Sequence, residues 1–192
     1  VSCNGNLFVE EAVMHSSCSV VGNLVMSGKR AEILGGTTVV GGSVWCKKLG
    51  GLYGNLTRVT VGIEPDRLIE YADRLQRLGK KREDLNTIDI KIKQVEQHGG
   101  GNRDPEEIAA MYRQLKSAAL QLNNEIESLT HQVHESRIGL TPAIDAYCVV
   151  EDRLYSGVTV SFGLEEYHSP EKGTRKTVLR CIDRQIIETG FN

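Results

Sequence analysis

The sequence predicts a mainly β protein, a β-solenoid interrupted by one long helical hairpin. Three observations carry that fold class: short glycine-led strands recur through the first third of the chain, two long apolar runs at helical spacing follow, and short strands then return. The expected organisation is β-solenoid coils over residues 1–63, an antiparallel coiled-coil hairpin inserted over 64–139, and returning strands over 140–192 that complete the same β body.

The strand repeat is loose but recognisable. Gly5-Asn6-Leu7-Phe8-Val9, Gly22-Asn23-Leu24-Val25-Met26 and Gly42-Ser43-Val44-Trp45-Cys46 are spaced by 17 and 20 residues, and Gly54-Asn55-Leu56 is a weaker fourth unit. Between them lie Cys18-Ser19-Val20-Val21, Ala31-Glu32-Ile33-Leu34 and Thr37-Thr38-Val39-Val40, each next to glycine. Glycine and asparagine tolerate the backbone that sharp corners require. A period of that size with about three short strands per turn is the dimension of a solenoid coil, which buries its apolar residues against the coils on either side. A small sandwich is the alternative, but it would need hairpin turns and longer strands.

The hairpin is written in the next stretch. Leu68, Ala72, Leu75, Leu78, Leu85, Ile88, Ile92 and Val95 recur three and four apart over 66–97, with a flaw near Arg82. Ile108, Met111, Leu115, Ala118, Leu122, Ile126, Leu129 and Val133 do so more cleanly over 105–137. Between the two runs, Gly99-Gly100-Gly101 breaks the first helix, and Asp104-Pro105-Glu106-Glu107 supplies a cap, a first-turn proline and a helix-start carboxylate for the second. So short a connection folds the helices back antiparallel, into an arm roughly 50 Å long at 1.5 Å per residue.

Gly139-Leu140-Thr141-Pro142 stops the second helix. Strands return at Ala146–Val150, Gly157–Gly163 and Thr177–Ile182, with Glu165–Arg175 as a polar loop. Neither strand segment is large enough for a comfortable core alone, so the two are expected to form one body.

Composition excludes several classes. A net charge of −2 over 192 residues is no nucleic-acid footprint, and no run approaches the ~18 apolar residues of a membrane span. The chain opens at Val1-Ser2-Cys3 inside an apparent strand, which reads as a fragment of a longer protein with any upstream targeting out of view. Cys3, Cys18, Cys46, Cys148 and Cys181 are odd in number, widely spaced and free of any C-x-x-C pair. They read as buried free thiols in a reducing cytoplasm, where the Asn55-Leu56-Thr57 sequon is irrelevant.

The order of glycine-punctuated strands, helical hairpin and returning strands resembles the C-terminal β-solenoid region of the flagellar assembly protein A (FapA) family. Ala146-Tyr147-Cys148-Val149-Val150 leading into Leu154-Tyr155-Ser156-Gly157-Val158-Thr159-Val160-Ser161-Phe162-Gly163 is similar to that family's signature of tyrosine, small residue, glycine and alternating hydrophobics closed by glycine. The resemblance covers nearly the whole chain. It implies a right-handed parallel β-helix and a cytoplasmic bacterial scaffold tied to flagellar assembly or cell-pole organisation. The family's N-terminal domain has no counterpart here.

Candidate chemistry is sparse. Gly99-Gly100-Gly101 lacks the Gly-Lys-Ser/Thr of a phosphate loop and is followed by Asp104, so it reads as a plain turn. His131 and His134, near Glu127 and Glu135, lack convergent metal-ligand spacing and read as a solvated helical edge. His15 and His168 have no matched nucleophile or acid. Lys80-Lys81-Arg82 is followed at once by Glu83 and Asp84 and reads as a solvated face. No catalytic, cofactor or metal residue is assigned, and no hydrolase or transferase activity is expected.

A non-enzymatic scaffold or protein-interaction module is therefore the leading reading. A hexapeptide-repeat acyltransferase would need tandem six-residue units, which spacings of 17 and 20 do not supply. A nucleic-acid-binding hairpin arm would be basic, whereas residues 64–137 hold 12 Lys+Arg against 14 Asp+Glu. Tyr112, Ala119 and Leu120 fall outside the main stripe and are the expected protein-interaction residues, facing a partner protein or a second copy in a homo-oligomer.

Overall fold

A computed structural model describes residues 1–98 and 104–191. The expected Gly99-Gly100-Gly101 turn lies outside the described residues. The chain divides into two compact units, one formed by 1–68 with 139–192 and the other by 69–138.

Among its described residues the first unit holds twelve strands: β1 (Ser2–Cys3), β2 (Leu7–Val9), β3 (Ala12–Val20), β4 (Leu24–Met26), β5 (Glu32–Val40), β6 (Val44–Leu49), β7 (Thr57–Val61), β8 (Tyr147–Leu154), β9 (Val158–Phe162), β10 (Glu165–His168), β11 (Thr177–Ile182) and β12 (Gln185–Gly190). Three parallel ladders run through β1 to β9. One aligns Leu7, Leu24, Val44 and Cys148. The second aligns Val13, Ile33, Leu49 and Leu154. The third aligns Cys3, Val20, Val40, Val61 and Phe162. Alternate side chains of each strand turn inward, so equivalent residues stack in columns, and these are fully buried apart from Cys3, Leu7 and Val13 of the first coil, which are half-buried. β8 pairs with β6 and β9 with β7, so the strands that follow the helices continue the ladders that precede them.

The Gly-Asn repeat has a structural cause. Asn6 Oδ1 accepts the backbone N–H of Asn23 at 2.8 Å and its Nδ2 at 3.1 Å. Asn23 Oδ1 then accepts the N–H of Ser43 at 2.7 Å, and Ser43 Oγ accepts that of Tyr147 at 3.2 Å. Each side chain thus caps the next coil at the same corner. The glycine before it is required because a Cβ at Gly22 would lie 2.5 Å from Asn6 Oδ1, and one at Gly42 2.3 Å from Asn23 Oδ1. Gly54-Asn55-Leu56 is not a member of this column. Tyr147 takes the fourth place, whereas Leu56 is exposed in the loop before β7.

The end of the ladders differs from the expectation. β11 does not add another parallel rung: it pairs antiparallel with β8 and with β12, while β10, inside the expected polar loop, pairs antiparallel with β9. Two-residue turns make this possible. Gly163 has φ 64° between β9 and β10, and Asp183 and Arg184 have φ 50° and 62° between β11 and β12, the left-handed values a tight hairpin needs. The antiparallel strands cover the backbone edge that the last parallel strands would leave open. Tyr167 of β10 donates its phenol to Glu188 Oε2 of β12 at 2.8 Å, and burial together with that bond pushes its pKa up.

All five cysteines are free, with Cys18, Cys46 and Cys148 buried and Cys3 and Cys181 half-buried. Burial pushes the Cys148 thiol up to about 12, and burial beside Cys148 raises Cys46 well above its ordinary value. Thr57 of the sequon is also buried. Its hydroxyl accepts the Gly35 N–H at 2.8 Å and donates to the Asn55 carbonyl at 3.0 Å.

The helices are α1 (Pro65–His98) and α2 (Pro105–Gly139). Asp104 caps α2 through its carboxylate, which accepts the Glu106 N–H at 3.1 Å. In the 69–138 unit the two run antiparallel: Arg74 bonds to Ser136 and to the Gln132 carbonyl, Lys81 pairs with Glu125 at 2.6 Å, and Glu96 accepts from Tyr112 at 2.7 Å.

The buried seam of α1 departs from the expected stripe. It passes through Tyr71, Arg74, Leu78, Lys81, Leu85, Ile88, Ile92 and Val95, an unbroken three-and-four alternation, while Ala72 and Leu75 are exposed. Two cations occupy seam positions because each finds acceptors on the facing helix: Arg74 on Ser136 and Gln132, Lys81 on Glu125.

Candidate protein-interaction surface

On α2 the inward stripe runs through the half-buried Ile108, Met111, Leu115, Ala118, Leu122, Ile126 and Val133 and the buried Leu129. Steps of three and four alternate except at Ala118–Leu122–Ile126, where two steps of four succeed each other. Such an insertion locally shifts which face meets the neighbouring helix, and it turns Ala119 inward, to 8% exposure. Of the three residues expected to meet a partner, Ala119 is therefore covered within the unit. Tyr112 is half-buried, with its phenol on Glu96 and the Lys116 ammonium 5.3 Å from its ring centre. Leu120 is 64% exposed.

Leu120 has company. Ile90 is exposed on α1, and the cross-helix pairs Lys81–Glu125 and Glu96–Tyr112 place it within about one turn of the level of Leu120. Leu75 and Ile69 are exposed nearer the start of α1.

The other candidates lie apart. His131 Nδ1 is 3.7 Å from Glu135 Oε1 on the same helix, and among the described residues no group of three or more His, Cys, Asp or Glu is placed to hold a metal ion. His15 has φ 45° and packs over Gly35 at a coil corner. His168 contacts Thr159 Oγ1 at 3.2 Å and Glu166 at 3.5 Å. Lys81 of the basic run is spent on Glu125. A cleft of about 180 Å³, lined by Gly41, Gly62, Glu64, Arg67 and Thr141, is smaller than the ~300 Å³ of ordinary ligand pockets. Its Arg67 is already held by Glu64 at 3.2 Å and the Gly139 carbonyl at 3.3 Å.

The family described as the Flagellar Assembly Protein A beta solenoid domain matches residues 1–186. The chain belongs to the flagellar assembly protein A family. No curated protein and no solved structure matches it. In this FapA-family chain the match spans both the stacked strands and the helices between them, so the helical pair lies within the matched region. No described helix is long and apolar enough to cross a membrane.

Proposed function

We propose that this chain is a non-enzymatic scaffold in flagellar assembly, or in the cell-pole organisation that accompanies it, and that its helical unit is the protein-interaction element. Family membership supports the process. The observation that supports the interaction is the exposure of two apolar residues at one level, Ile90 on the outward face of α1 and Leu120 on the outward face of α2. The parallel ladders support a parallel β-helix, right-handed as the family resemblance implies, completed by strands from both sides of the inserted hairpin. The seam spacing supports coiled-coil pairing, and buried free thiols support a reducing, cytoplasmic setting.

Self-association is the first form of this reading, with the α2 face bearing Leu120, or the opposite α1 face bearing Ile90, packing against a second copy. Sedimentation equilibrium tests it. The wild-type chain should sediment heavier than a monomer, and Ile90→Ser/Leu120→Ser should sediment as a monomer with unchanged helicity. Tyr112 is left intact because its bond to Glu96 belongs to the fold of the pair. A wild-type chain that stays monomeric at high concentration excludes self-association and leaves the heterologous partner as the form to be tested in cells.

A further inference from the structure

One corner of the β unit carries a detour. The ladders align Ile33 with Leu49 and Leu154, and Gly36 with Thr57 and Val158. The neighbouring coils cross between those positions through Leu34-Gly35 and Tyr155-Ser156-Gly157, whereas this coil uses Gly50 to Leu56. The Gly54 N–H donates to the Gly51 carbonyl at 3.2 Å, closing a turn whose two central residues are Leu52 and Tyr53. Central turn positions ordinarily hold Gly, Asn, Asp or Pro. Here they hold two large side chains 81% and 93% exposed, with Leu56 beside them at 70%. Gly50 and Gly54, at φ 85° and 66°, supply the backbone that pushes this tip out.

The flanks of the tip are basic. Lys48 lies in register with Arg153, and Arg58 faces outward on β7 just after the loop. Neither Lys48 nor Arg58 forms an ion pair among the described residues. Arg153 lies 5.9 Å from the Tyr155 ring centre and donates to the Lys172 carbonyl at 2.9 Å, and that carbonyl leaves its charge uncompensated. The acidic residue in the same row, Glu32, is neutralised by Arg30.

We propose that this loop docks the β unit on an anionic lipid surface. Leu52, Tyr53 and Leu56 enter the interfacial layer, and Lys48, Arg58 and Arg153 meet the lipid phosphates. A convex tip of two leucines and a tyrosine, with cations at its base, matches the layered chemistry of a headgroup region: tyrosine favours the interface, aliphatic groups gain from leaving water, and each nearby cation is drawn to the charged surface. The inference is independent of the helical unit.

Vesicle cosedimentation tests it, using the whole chain with phosphatidylcholine vesicles made with and without phosphatidylglycerol. The wild type should cosediment with the anionic vesicles and lose most of that binding at high salt. Leu52→Ser/Tyr53→Ser/Leu56→Ser should weaken binding at least about tenfold, and Lys48→Gln/Arg58→Gln should weaken it to anionic vesicles alone. Every substituted side chain projects from the core, and Trp45 fluorescence verifies that each variant is folded. No wild-type binding, equal binding to neutral vesicles, or undiminished binding by the triple variant overturns the proposal. A triple variant that loses self-association while vesicle binding is absent reassigns the loop to a protein contact.

Discussion

Replacing Gly42 with alanine should destabilise the β unit by an amount set by Asn23. A Cβ at position 42 falls 2.3 Å from Asn23 Oδ1, 3.0 Å from its Cγ and 3.0 Å from the Gly22 carbonyl oxygen. Gly42 is not among the positive-φ glycines, so alanine is conformationally allowed and the cost is steric. The carboxamide must move, and in moving it gives up the Ser43 N–H at 2.7 Å and the Asn6 contact at 3.1 Å. One donor short of its partner and one lost side-chain bond amount to roughly 2 kcal/mol. Asn23→Ala alone should cost about the same, since it removes the same two bonds. In that background Gly42→Ala meets only the Gly22 carbonyl, and the stiffer unfolded chain offsets the squeeze by about 0.5 kcal/mol, leaving it near neutral. The coupling between the two substitutions is therefore about 2 kcal/mol. Urea unfolding followed by the fluorescence of Trp45, in β6 just beyond the substituted corner, reads the β unit. Equal costs of Gly42→Ala in both backgrounds would refute the column of capping side chains.

Other consequences are as direct. The Cys46 and Cys148 thiols ionise near 9 when unfolded, but Cys148 only near 12 when folded, so the native state holds the extra protons in that window. Stability is then full below pH ~9 and falls above it by about 1.4 kcal/mol per pH unit per thiol, and Cys148→Ala should reduce the slope of the urea midpoint against pH. Arg184→Gly should stabilise the β11–β12 turn by about 1 kcal/mol, because φ 62° strains a side chain and not glycine. Ala119→Leu should destabilise the helical unit by about 1–3 kcal/mol through overpacking, while Leu120→Ala stays within about 0.5 kcal/mol in a monomer, both read by circular dichroism melts.

Much of the fold was legible because its causes are local. Gly22-Asn23 and Gly42-Ser43 announce a repeat since the same glycine must clear the same capping side chain in each coil. That signal misleads at Gly54-Asn55, where the dipeptide serves a loop, and fails at Tyr147, where the last coil contributes only a backbone N–H. The antiparallel ending was hidden because Thr177–Ile182 alternates as a parallel strand does, and its turn, Asp183-Arg184, lacks glycine. In the helices, Ala118 and Ala119 are both apolar, so composition alone cannot say where the seam shifts. Arg74 and Lys81 read as surface residues until their acceptors on the facing helix are in place. Leu120 stood out from sequence as an apolar residue off the stripe; its pairing in level with Ile90 needed the antiparallel register.

The most direct test of the interaction role in flagellar assembly is to count flagella on cells whose only copy of the protein carries Ile90→Ser/Leu120→Ser. Protein at wild-type abundance with flagella lost or misplaced is the predicted result. Normal flagellation with the variant at that abundance would contradict it.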